Sequence, residues 1–206
     1  MSQNMNRHLT ALEFDKILER LAQFTACPDA RELALSLRPE SDIDLAQAQM
    51  NQTHDAHMLL ARFGGPSFGG LRNVNNAAAR AGAGSTLSMR ELLDVAEVLR
   101  TVRALAQWRS TNAGVETVLD PLFSALQPNK YLETKITSAI ISEEEIADSA
   151  SPELFEIRRK IRVQESKVRD QLDKMTHSAH YSKFMQENII TQRNGRYVVP
   201  VKAEYR

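Results

Sequence analysis

At 206 residues, 42% of them hydrophobic and 25% charged, the chain is long enough to bury a core and ordinary in composition for a globular protein. A net charge of +0 gives no basis for binding nucleic acid or membrane with the whole surface, and the single cysteine, Cys27, excludes an internal disulfide framework and cannot alone build a zinc site. The opening MSQNMNRHLT has no apolar core, so it is not a secretory signal, and no run is apolar enough to span a bilayer. A reducing, cytoplasmic setting is therefore expected.

Aromatic residues are only 6%, and Leu and Ala dominate, which favours helix. The first start signal is LTALEF, with Thr10 placed to cap, Glu13 to reach back and Leu9 to pack on Phe14. Phe14, Ile17, Leu18, Leu21 and Phe24 follow at helical spacing. Pro28 opens a second helix that must stop near Arg38, because Pro39 follows. A third runs from Ser41–Asp42 to Phe63 and ends at Gly64. A fourth covers about residues 71–80. LSMREL then repeats the first signature, with Ser88 as cap and Glu91 in the box, and opens a helix to Trp108. Shorter helices are expected at about 117–126 and 131–140. No repeat of fixed period occurs.

SEEEIADSASP marks a boundary, acidic and punctuated by Pro152. Ser151 is placed to cap and Pro152 to take the first helical position. From there a helix without a breaker reaches about His177. Leu154, Ile157, Ile161, Val168 and Met175 form a narrow apolar stripe, with Gln164 interrupting it and Leu172 slightly displaced. Arg158, Arg159, Arg162, Lys167 and Arg169 lie off the stripe, so the pattern reads as a coiled-coil arm or lever. Charge follows the same division: residues 151–206 carry 12 Lys and Arg against 7 Asp and Glu, and residues 1–150 carry 14 against 19.

The last segment, IITQRNGRYVVPVKAEYR, is a hairpin about Asn194-Gly195. A two-residue loop sets Arg193 opposite Arg196, Gln192 opposite Tyr197 and Ile190 opposite Val199. Arg193, Arg196, Lys202 and Arg206 then share one face. Two facing arginines repel. Either an anionic partner reverses that sign, or both splay into water. A two-stranded hairpin is marginal alone, so its apolar face needs a cover. The fold expected is mainly α: a helical core and lever, and one long C-terminal helix leading into a β-hairpin. Its parts are residues 1–147, the helical body; 148–188, linker and long helix; and 189–206, the first hairpin of a larger β-containing tip. On this reading the chain is truncated.

Several tempting sites have plainer explanations. GGPSFGG follows a helix and lacks the lysine of a phosphate loop, so it reads as a helix-ending turn. AGAGST is a connector. His54 with His57, and His177 with His180, each sit three apart, but no third ligand joins either pair. The acidic SEEE lies in a linker without fixed geometry. No catalytic residue, cofactor, metal or small-molecule site is expected in this chain.

LEFDKILERLA (12–22), GGPSFGGLRNV (64–74), DSASPELFEIRRKIR (148–162) and RNGRYVVPVKAEYR (193–206) together resemble the N-terminal region of the second bacterial MutS family, endonuclease MutS-two. The resemblance runs from about Leu9 to the last residue. It implies core, lever and clamp elements ahead of a dimerising ATPase that uses ATP and Mg, and usually a C-terminal Smr nuclease domain. It also implies a homodimer in the intact protein and engagement of branched DNA in recombination or of rRNA on collided ribosomes. No G-x-x-x-x-G-K-[ST] motif is present, so those activities belong outside this chain. Two functions follow as expectations. The first is a clamp-and-lever module that grips phosphates with Arg193, Arg196, Lys202, Arg206, Arg158, Arg159 and Arg162. The second is a helix-pairing or dimerisation module using Leu154, Ile157, Ile161, Val168, Leu172 and Met175.

Overall fold

The computed structural model describes residues 3–205; the candidate contact Arg206 lies outside them. The chain divides after Ala147 into two compact units. The first contains eight helices among its described residues: α1 (Gln3–Ala11), α2 (Phe14–Ala22), α3 (Pro28–Ser36), α4 (Ile43–Phe63), α5 (Asn75–Gly82), α6 (Met89–Thr111), α7 (Asp120–Ser124) and α8 (Lys130–Ala139).

Local chemistry accounts for several of their ends. Ser88 makes the full capping box with Glu91 at the start of α6. Asp42 caps α4 by accepting from the N–H groups of Asp44 and Leu45, and Gly64 ends that helix at φ 74°. The same motif does not operate at Thr10 and Glu13. Helix α1 carries through Thr10, so that residue lies in a last turn instead of a first one. Glu13 adopts the left-handed conformation, and its side chain pairs with Lys16 at 2.6 Å. Helix α5 also begins at Asn75, later than the expected 71, where the Asn73 side chain accepts from the Asn75 N–H.

The core of this unit lies between α6 and α8. Ala96, Ile136 and Ile140 are buried, and Leu92, Leu93 and Val95 pack on them. Ala96 gives α8 room for close approach. An ion pair runs beside this seam, with Arg103 donating to both oxygens of Glu133 at 2.8 Å. At the far end of α6, Arg109 donates to Asp120 and to the carbonyls of Asn112 and Val115, each at 2.6 Å, which fastens α7. The GGPSFGG turn rests on α6, where Thr101 Oγ1 donates to the Gly69 carbonyl at 3.3 Å.

The second unit opens with a short 3-10 turn, Asp148–Ala150, followed by α9 (Pro152–Thr176). Ser151 Oγ accepts from the Leu154 N–H at 3.1 Å and Pro152 occupies the first turn. The 25 residues of α9 make a rod about 38 Å long. Strands β1 (Thr191–Arg193) and β2 (Arg196–Val198) form an antiparallel two-stranded sheet. Its base continues beyond the strands. Met185 bridges Val201, the Gln186 N–H donates to Pro200, and the Lys202 N–H donates to Phe184. Residues 187–190 lie between this isolated bridge and the start of β1, outside the ladder. Buried Met185 and Thr176, with Phe184 edge-on to Tyr205 at 4.9 Å, anchor that base.

Candidate nucleic-acid interface

The hairpin tip is set by two consecutive positive φ angles, 50° at Asn194 and 75° at Gly195. This is the turn that an Asn-Gly pair favours, and it fixes the register. Thr191 faces Val198, Gln192 faces Tyr197, and Arg193 faces Arg196. Both arginines are exposed, and among the described residues neither has a carboxylate within ion-pair distance. Lys202 is not part of this pair. Its Nζ donates to the Lys183 carbonyl at 3.0 Å, at the hairpin base.

Three of the arm arginines, Arg158, Arg159 and Arg162, are already engaged. Arg158 and Arg162 donate to the two oxygens of Asp148 at 2.6 and 2.8 Å, folding the linker back on the first turns of α9. The hydrogen bond from Arg158, then that from Arg162, holds the Asp148 carboxyl below its ordinary range. Arg159 pairs with Glu156 at 2.9 Å. Exposed pairs of this kind form and open readily in water.

A polar cleft of about 390 Å³ lies between α9 and the hairpin. Arg162, Glu165, Ser166 and Arg169 form one wall, and Ile190, Thr191, Gln192 and Tyr197 the other. So the structure brings Arg162 together with Arg169, Ser166 and Gln192, a grouping that sequence reasoning missed. Positions 162, 166 and 169 share a helix face, which was readable. Their meeting with Gln192 depends on how the hairpin docks, which was not.

Tyr197 also borders a second cleft, with Ile161, Val168 and the aliphatic stems of Lys160, Gln164 and Glu165. Most of the stripe remains open: Ile157 is 55% exposed, Ile161 51%, Val168 41% and Met175 40%. Leu154 and Leu172 are half-buried. Among the described residues no three His, Cys, Asp or Glu side chains converge as a metal site requires. No described helix is long and apolar enough to cross a membrane.

The architecture defines a mainly α protein: a helical body, then a long helix that ends in a small antiparallel hairpin. No family model matches the chain. It is 39% identical over 197 residues to the Endonuclease MutS2 of Ruminiclostridium cellulolyticum, a match covering 95% of this chain and 25% of that protein. To the Endonuclease MutS2 of Acetivibrio thermocellus it is 38% identical over 201 residues, covering 96% of this chain and 25% of the relative. To that of Halothermothrix orenii the identity is 34% over 206 residues, covering 96% and 26%. Over nearly its whole length the chain is thus similar to MutS2 endonucleases. It spans about a quarter of the length of the curated relatives it matches.

Proposed function

We propose that this chain is the non-catalytic core and lever, with the beginning of the clamp, of a MutS2-type ATP-driven protein that engages nucleic acid. Residues up to 147 form the body, 148–188 the linker and lever, and 189–206 the first part of the clamp. The ATPase and endonuclease activities of the intact protein, and its ATP and Mg, reside outside this chain. Branched DNA and structured rRNA are the two candidate targets, reached in the cytoplasm by a homodimer of the intact protein.

One observation carries this reading: Arg193 faces Arg196 at an exposed tip without a carboxylate beside them among the described residues. Paired like charges cost the hairpin stability unless an anion lies between them. Phosphate contacts of this type fix position without reading sequence. The lever would carry movements of the distant ATPase to this tip. The test is a titration of the chain against a four-way DNA junction and an rRNA hairpin, with and without R193E/R196E. Saturable binding that the double variant loses supports the reading. Equal binding by both proteins counts against it.

The open stripe on α9 favours a second reading, a module that pairs with a partner helix or with a second copy of itself. Here L154S/I161S/V168S should lower the mass seen by light scattering. An unchanged mass removes self-pairing as its role.

A further inference from the structure

We propose that the cleft between α9 and the hairpin is a binding site for the sugar–phosphate backbone of a single nucleic-acid strand. This rests on the nucleic-acid reading above and extends it from the hairpin tip to a defined second contact. The floor of the cleft is one face of α9. Arg162, Ser166 and Arg169 present two guanidinium groups and a hydroxyl along it. The arginines are separated by seven residues, about 10 Å along the helix axis. Phosphates in a stacked strand follow one another at about 3.4 Å along the axis, so the two arginines bracket about three nucleotide steps. Gln192 adds an amide donor from the opposite wall. At about 390 Å³ the cleft has the size of a small-ligand pocket, which admits one strand and not a duplex.

The state of each charge sharpens the case. Among the described residues no carboxylate lies within ion-pair distance of Arg169. Arg162 spends its charge on Asp148 at 2.8 Å, a half-exposed pair that a phosphate can replace. Glu165 lies on the same wall and repels any anion that enters. The site therefore holds one ready cation, one exchangeable cation and one opposing carboxylate. Removing Glu165 should strengthen binding and removing Arg169 should weaken it. A packing role would not produce that opposition.

The test is fluorescence anisotropy of the full 206-residue chain with a labelled 20-nucleotide oligothymidine and with a duplex of equal length, at 50 and 200 mM salt. Circular dichroism verifies that each variant keeps its helix content. R169A is expected to weaken single-strand binding severalfold and to reduce the salt slope by about 0.7, the share of one phosphate. E165Q is expected to tighten binding, and the duplex to bind more weakly than the single strand. Wild-type affinity in either variant overturns the proposal, as does equal affinity for the duplex. If R193E/R196E abolishes binding while R169A and E165Q behave as wild type, the cleft is not the site and the tip reading survives. An unaltered chain that binds no single strand at 50 mM salt overturns the cleft proposal, while the tip reading stands or falls with the four-way junction.

Discussion

Arg193 and Arg196 face each other directly across the Asn194-Gly195 turn, the cross-strand pair next to the turn and of the same charge. Stability and binding are thereby set against each other at one position. R193E turns a repulsive pair into an attractive one and should stabilise the hairpin by about 0.2–1 kcal/mol. The same change should weaken nucleic-acid binding. Slower amide exchange in β1 and β2, with weaker binding, is the expected pair of outcomes. Faster exchange would show that the arginines are not strained by each other.

Asp148 is held below the ordinary aspartate value of 3.8 by the two arginines it accepts from. A carboxylate with a lowered folded value contributes stability above its unfolded value and loses it as pH falls through the folded one. The linker should therefore release α9 in the window below about pH 4. Helix content followed from pH 6 to pH 2 should fall more steeply in the wild type than in D148N. Superimposed curves would show that this carboxylate does not fasten the arm.

In the body, the α6–α8 seam and the α6 cap should differ in worth. I136A removes a buried side chain from the seam and should cost about 2–5 kcal/mol in chemical denaturation. S88A removes a cap hydrogen bond and half of a capping box, at about 1 kcal/mol. A larger loss from the cap than from the core would place the stability of this unit elsewhere.

Two glycines make an opposed pair of controls. Gly70 has φ +85°, and a methyl group there would come within 2.6 Å of Glu97 Oε1. G70A should destabilise by more than about 1 kcal/mol. Gly82 ends α5 in helical conformation with open space around it, so G82A should stabilise by about 0.4–1 kcal/mol. Thermal melts check both: G70A tests the docking of the GGPSFGG turn against α6, and G82A the end of α5.

Features set by neighbouring residues were legible in the sequence. The Ser88–Glu91 box, the Ser151 cap with Pro152, and the Asn194-Gly195 register all depend on a few adjacent positions, and each formed as its chemistry requires. The same reasoning failed at Thr10, because a preceding helix competes for that residue and local pattern does not encode the competition. Periodicity also overstated the core. Leu18 is buried, yet Ile17 is 57% exposed and Phe24 87%. A stripe names the face a helix offers, not whether a neighbour covers it. At the candidate interface the tip was legible and the cleft was not. Asp148 meets Arg162 fourteen positions away, and Arg169 shares a cleft with Gln192, only because the linker and the hairpin fold back onto α9.

The most direct test of nucleic-acid engagement is the salt dependence of the chain's affinity for a four-way DNA junction, measured by calorimetry from 50 to 200 mM salt for wild type and R193E/R196E. The plot of log affinity against log salt should slope downward in the wild type and flatten by about 1.8 in the double variant, the share of two phosphate contacts. A flat wild-type line, or the same slope in both proteins, would contradict a phosphate grip at this hairpin.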